Sequence, residues 1–267
     1  MDEIFDDKVN TWFFDLDGCI YHGHKLTERA NELLDLLRRR GCRIGFITNN
    51  SRENAEEIRA KLSAMGLQLD GENIVSATEA VAVWLNQRHG SLSVKVAGSQ
   101  SLSQAIVNQG HQLLKWNDTQ VADMVIIGRD IDFDYNRLQQ IVNESRLGAR
   151  IISTNADYYH PGEDGKVVPE TGSLLAAIEV IMGSTIESIG KPNLCLYEMA
   201  MDTYGAKASE CIMVGDNPVT DIAGAVSAGM RSVWIYGSHP LGHKVSKVSP
   251  TWKFETLSEL YENVLAN

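Results

Sequence analysis

The chain has 267 residues, 43% of them hydrophobic, and a formal net charge of −11. Such a length and apolar share suit a globular protein with a sizeable core, as one large domain or two small ones. The negative charge argues against nucleic acid or an anionic membrane as the main partner, yet a small anion could still bind at a locally positive site.

In chain order, "TWFF" reads as a short strand that runs into the acidic turn "DLDG". "LTERANELLDLLRRRG" then places Ala30, Leu33, Leu34 and Leu37 on one helical face, with Gly41 where a helix would end. "CRIGFITNNS" is the next strand, "RENAEEIRAKLSAMG" a helix ending at Gly66, and "NIVSATEAVAVWLNQ" a strand followed by a helix. In the middle, "VKVAG", "MVIIGRD" and "ARIISTN" are strand-like, with helical segments around Leu102 to Asn108 and Tyr135 to Ser145. The polar stretch "ADYYHPGEDGKVVPETG" reads as a loop before the helix "SLLAAIEVIMG". After Gly190 the first rhythm returns: "NLCLYEMAMDTYG" helical, "ECIMVGDN" extended, "VTDIAGAVSAG" helical and "RSVWIYG" extended.

Strands apolar on both faces, alternating with helices, predict an α/β protein with a parallel sheet covered by helices. The return of the rhythm predicts one core built from residues 1–80 and 185–267, with a smaller α/β unit inserted over 81–184. The acidic opening "MDEIFDDKVN" lacks the order of a signal peptide, and runs such as "MVII" and "VWIY" are too short to cross a bilayer, so a cytoplasmic protein is expected. Cys19, Cys42, Cys195 and Cys211 are irregularly spaced, which predicts buried free thiols rather than a zinc site or a disulfide framework.

Ligands of an open parallel sheet bind beyond the carboxyl ends of its strands. Polar groups collect there: Asp15 and Asp17 after "TWFF", Thr48, Asn49 and Asn50 after "RIGFI", Asp216 after "CIMV", and Lys191 ahead of a helix in "GKPN". On an extended segment, residues i and i+2 project to the same side, so Asp15 and Asp17 are expected to face a common point. Two such charges need a cation or a retained proton. With Asp216 they form an all-oxygen set suited to Mg²⁺, while a lysine and a threonine hydroxyl suit a phosphate.

Each residue has a plainer reading. Asp15 and Asp216 could be turn residues, Asp221 or Thr48 a helix cap, and Lys191 a solvated surface charge. His22 and His24 read as loop histidines, and "GSQSLSQAIVNQG" as a strand-to-helix turn, since it lacks both G-x-G-x-x-G and a P-loop lysine. It is the joint occurrence, in order and at strand ends, that favours chemistry.

The four stretches "DLDGC", "FITNNS", "GKPN" and "MVGDNPVTDIAGA" resemble the four motifs of the haloacid dehalogenase superfamily. The resemblance implies a Rossmann-like doubly wound core and phosphoryl transfer through an aspartyl-phosphate. It implies Asp15 as nucleophile, Asp17 as acid and base, and Thr48 and Lys191 as phosphoryl-binding groups. Asp15, the Asp17 carbonyl and Asp216 would hold Mg²⁺, with Asn217 and Asp221 behind them. Asn49 and Asn50 would lie on the phosphate side. Thr48 follows Asp15 by 33 positions (48 − 15), too few for a large insertion, and Lys191 follows Thr48 by 143 (191 − 48). That spacing, with "STNADYYHPGEDGKVVPETGSLLAAIE", is similar to the NagD-like phosphatases, which carry a cap at this place. The likeness implies a small phosphorylated metabolite as substrate, His160 near the cap entrance, and a homodimer through the cap as an open expectation. A dehalogenase or a phosphomutase on the same fold, and a non-catalytic ligand-binding module, are the alternatives. Asp17 counts against a dehalogenase, because halide needs no proton on leaving. Cys19 stands where threonine or valine is usual and is expected to pack, and the tail "HPLGHKVSKVSPTWKFETLSELYENV" matches only loosely.

Overall fold

The computed structural model describes residues 9–161, 166–238 and 248–266. The acidic N-terminal run 1–8, residues 162–165 of the polar loop and residues 239–247 of the tail lie outside the described residues. The chain forms two compact units. The first comprises Met1–Thr48, Glu57–Val75 and Lys191–Asn267, and the second Asn49–Glu56 and Ser76–Gly190.

In the first unit a six-stranded sheet runs in the order Trp252–Phe254, Arg231–Ile235, Cys211–Gly215, Thr11–Phe14, Arg43–Thr48, Asn73–Ser76. Thr11–Phe14 pairs in parallel with both Arg43–Thr48 and Cys211–Gly215. From these two central strands the chain winds outward in opposite directions, which makes the sheet doubly wound and leaves a crevice at the carboxyl ends of Thr11–Phe14 and Cys211–Gly215. All four residues of Thr11–Phe14 and all five of Cys211–Gly215 are buried, as expected of central strands covered on both faces. The helix Ala30–Arg39 buries Ala30, Leu33, Leu34 and Leu37, the face read from the sequence, and Leu36 as well. Each fully buried leucine contributes about 1.5–3 kcal/mol. The tail supplies what its sequence did not advertise: Trp252–Phe254 extends the sheet, and Leu257–Ala266 is a helix with Leu257, Leu260 and Val264 buried.

The second unit has its own sheet, ordered Glu187–Ser188, Arg150–Ser153, Met124–Ile127, Ser93–Ala97, Gln112–Leu113, with every adjacent pair parallel. Val125, Ile127, Ile141, Leu175 and Ile178 form its core cluster. Lys95, on Ser93–Ala97, is fully buried and pairs with Glu144, whose other oxygen accepts the Ala122 N–H at 3.1 Å. The stretch read as a polar loop contains an antiparallel hairpin, Tyr159–Pro161 with Val167–Pro169, in which His160 lies opposite Val168. "GSQSLSQ" is the expected strand-to-helix turn: Ser99 caps the helix Gln100–Asn108 by accepting the Leu102 N–H at 3.1 Å.

His22 and His24 sit exposed on a small hairpin, Tyr21–His22 with Lys25–Leu26. All four cysteines are free thiols; Cys19, Cys195 and Cys211 are buried and Cys42 is half-buried. Among the described residues no helix is long and apolar enough to cross a membrane.

Candidate active site

The site builds outward from the two central strands of the first unit. The Asp15 N–H continues the sheet ladder onto the Val214 carbonyl at 2.8 Å, so Asp15 begins where the strand ends and its backbone is fixed. The chain then turns at Leu16, whose carbonyl accepts the N–H groups of Cys19, Ile20 and Tyr21 at 3.3, 2.9 and 3.0 Å. This turn separates the two acids in setting: Asp15 is buried and Asp17 exposed. Gly18, at φ 93°, is obligatory on two counts. Its backbone is left-handed, and a Cβ there would lie 2.5 Å from Asp216 Oδ2.

Asp216 leaves the neighbouring strand directly after Gly215, and the Trp234 indole N–H holds its carbonyl at 2.8 Å. Next comes an irregular turn. Asn217 caps it, its Oδ1 accepting from Val219 N at 2.9 Å and Thr220 N at 3.3 Å. Pro218–Ile222 is π-helical before the α-helix Ala223–Ser227. The cap is therefore Asn217, and Asp221, which could have been one, is turned back onto the strand end. There its Oδ2 accepts the Asn217 N–H at 3.0 Å, in space that only a glycine at 215 leaves open.

Lys191 joins these segments. Its Nζ donates to Asp15 Oδ1 at 2.5 Å, Asp221 Oδ1 at 2.7 Å and the Ile47 carbonyl at 3.0 Å, so it is no solvated surface charge. Thr48, buried, ends the strand that offers that carbonyl. Among the described residues Asp15, Asp216 and Asp221 bring one carboxylate oxygen each to within 4.8 Å of one another. Asp221 thus stands inside the carboxylate group, nearer the centre than the sequence assigned it.

Three acids share one amine, and the electrostatics follow. Burial pushes the Asp15 carboxyl up to about 7, opposed by Lys191 and reinforced by Asp221. Burial, then Asp15 and Asp221, hold Asp216 well above the usual carboxylate range. Burial alone would lower the Lys191 amine, but Asp15 and Asp221 keep it well above its ordinary value and charged. An ion pair by itself would depress Asp15, but burial outweighs it. The donor set therefore fits a divalent cation bound through oxygen. Cys19, beside the turn, is buried with its thiol pushed well up by burial and by the acids, and it packs against the Val214 carbonyl at 3.8 Å.

Asn49 and Asn50 belong to the second unit. Asn49 Nδ2 donates to Asp157 Oδ2 at 2.8 Å, as does Asn155 Nδ2 at 3.0 Å. Asn50 Oδ1 accepts the N–H groups of Arg52 and Glu53 at 2.9 and 2.8 Å. His160 Nδ1 lies 2.7 Å from Glu170 Oε1, which also pairs with Arg129 at 3.1 Å.

Comparison with known proteins points the same way. A model described as haloacid dehalogenase-like hydrolase matches residues 12–112, and a second, described as HAD-hydrolase-like, matches 188–260. A 5′-nucleotidase of Bacillus subtilis is 33% identical over 93% of this chain and 96% of its own length. An acid sugar phosphatase of Staphylococcus aureus is 32% identical over 94% and 96%. Among solved structures, a 4-nitrophenylphosphatase of Thermotoga maritima superposes with a TM-score of 0.85 at 28% identity, covering 97% of this chain and 98% of that one. A structure described as a nagD protein gives 0.87 at 26%, covering 98% and 100%.

Proposed function

The chain belongs to the haloacid dehalogenase-like hydrolase family, in its NagD-like branch, and from that premise we propose a Mg²⁺-dependent phosphomonoester hydrolase that acts on small phosphorylated metabolites through an aspartyl-phosphate. One observation carries the reading: the buried Lys191 amine, 2.5 Å from Asp15 and 2.7 Å from Asp221 at the crossover of a doubly wound sheet. A cation held in a carboxylate cluster, beside a nucleophile, is what transfer of a dianionic group requires.

In this reading an Asp15 carboxylate oxygen attacks phosphorus, and the bond from phosphorus to the ester oxygen breaks. Asp17, on the exposed side of the turn, gives its proton to the departing oxygen. Water then attacks the phosphorus, Asp17 takes the water's proton, and inorganic phosphate leaves with Asp15 restored. The Lys191 ammonium and the Thr48 hydroxyl hold the phosphoryl oxygens, with Asn49 and Asn50 on the phosphate side. Asp15, the Asp17 backbone carbonyl and Asp216 would hold Mg²⁺, supported by Asn217 and Asp221. Bound there, the ion supplies the positive charge that the three acids and the phosphate need. The second unit is assigned the role of inserted cap, with His160 contacting the leaving group and homodimer pairing through that unit.

The names of the relatives support a sugar phosphate or nucleoside monophosphate as substrate class. The test is hydrolysis of p-nitrophenyl phosphate and a panel of such esters with Mg²⁺ and in excess chelator. Activity that requires Mg²⁺ is expected; equal activity in chelator would remove the metal from the account. His160→Ala is expected to change the ranking of substrates more than the p-nitrophenyl phosphate rate.

A further inference from the structure

Asp221 reaches Lys191 only because an irregular turn holds it there, and the question is what holds the turn. In a regular α-helix each carbonyl takes the N–H four residues on; a π-helical turn breaks that register, and such turns occur frequently at functional sites. Here the N–H groups of Asp221 and Ile222 both fall on the Asn217 carbonyl, at 2.9 and 3.3 Å. The carbonyls of Thr220 and Asp221 face a buried phenol from another helix. Tyr197 Oη lies 2.7 Å from the Thr220 carbonyl and 3.2 Å from that of Asp221. Tyr197 is fully buried on Leu194–Tyr204, the helix that begins three residues after Lys191. Gly224, on the following turn, makes room for it: a Cβ at 224 would lie 2.6 Å from Tyr197 Cε2.

We propose that Tyr197 is a positioning residue for the metal and lysine site: its O–H, donated to the Thr220 carbonyl with Asp221's beside it, sets the turn that aims the Asp221 carboxylate at Lys191. The hydroxyl, rather than the ring, carries this role. Phenylalanine would fill the same space but take the phenol's hydrogen bond from the Thr220 carbonyl, so the turn would relax and Asp221 with it. Groups that orient a metal site from behind typically change metal affinity 10–100-fold when removed.

The inference rests on the reading of this site as a Mg²⁺ site, and the experiment separates the two. Mg²⁺ affinity is measured by calorimetry and by the rise in melting temperature on adding Mg²⁺, for wild type, Tyr197→Phe and Tyr204→Phe. Tyr204 is the control, since its hydroxyl also donates to a buried backbone carbonyl, that of Ile44, in the same unit. Tyr197→Phe is expected to weaken Mg²⁺ about tenfold while kcat at saturating Mg²⁺ stays within about threefold, and Tyr204→Phe to leave Mg²⁺ affinity unchanged. Gly224→Ala, which keeps the hydroxyl but takes its room, is expected to weaken Mg²⁺ in the same direction. Unaltered affinity in Tyr197→Phe, or an equal loss in both tyrosine variants, would overturn the inference. A wild-type protein that does not bind Mg²⁺ would instead overturn the functional reading beneath it.

Discussion

Asp15→Asn is expected to abolish turnover and to raise stability, because Asp15 is a buried carboxylate. The asparagine keeps the shape and can still accept from Lys191 Nζ, but it carries no charge and is a poor nucleophile, so turnover is expected to vanish. Stability moves the other way. In the metal-free protein the Asp15 carboxyl is raised from 3.8 to about 7 by burial. A group raised in the folded state contributes its full stability below its unfolded value and loses it as pH rises through the folded value. Wild type should therefore lose stability from Asp15 between about pH 4 and pH 7, reaching roughly 4 kcal/mol. Asparagine stands in for the protonated acid and loses nothing. In chelator at pH 8, Asp15→Asn should melt roughly 8–16 °C above wild type, at 2–4 °C per kcal/mol for a protein of about this size. At pH 5 about two fifths of that gap should remain. Differential scanning calorimetry at both pH values, with chelator and then with Mg²⁺, reads this directly. Mg²⁺ should close the gap by stabilising wild type more than the variant. A variant that melts no higher than wild type at pH 8, or by the same margin at both pH values, would refute the reasoning.

Three further outcomes follow from the same geometry. Lys191→Ala leaves Asp15 and Asp221 buried without their cation; a loss of about 3–5 kcal/mol in urea unfolding is expected at pH 8, with kcat down about 10²–10³-fold at saturating Mg²⁺. Gly18→Ala puts a Cβ 2.5 Å from Asp216 Oδ2 on a left-handed backbone, so Mg²⁺ binding measured by calorimetry should weaken sharply while far-ultraviolet circular dichroism stays native. In the second unit, Glu144→Ala leaves the buried Lys95 amine without its counter-charge, and denaturant unfolding should show a cost of about 3–5 kcal/mol.

The core was legible where burial is complete. "TWFF", "RIGFI" and "CIMV" are apolar on both faces because central parallel strands are covered on both faces, and the polar residues at their ends marked the crevice. What escaped the sequence lies where the backbone leaves a regular period. Alternation carries no sign of the turn after Asp15, where the Leu16 carbonyl gathers three N–H groups, leaving Asp15 buried and Asp17 exposed. Asp221 lies in "VTDIAGA", which reads as ordinary helix; only the π-helical turn under Tyr197 swings it towards Lys191, and no local pattern encodes a phenol delivered from another helix. The hairpin of His160 was hidden because "YHP" and "VVP" are short and flanked by turn residues. The edge strand Trp252–Phe254 is three residues long, with only Phe254 buried, so it carries almost no periodicity.

The central claim is that Asp15 becomes covalently phosphorylated. It is tested most directly with Asp17→Asn and p-nitrophenyl phosphate in Mg²⁺. The p-nitrophenolate leaves without needing a proton, so the first step should proceed while the second, which needs Asp17 as base, stalls. The account predicts a burst of one p-nitrophenolate per chain and, after acid quench, a phosphoryl group on the peptide containing Asp15 by mass spectrometry. Steady release with no burst, or phosphate on another residue, would contradict it.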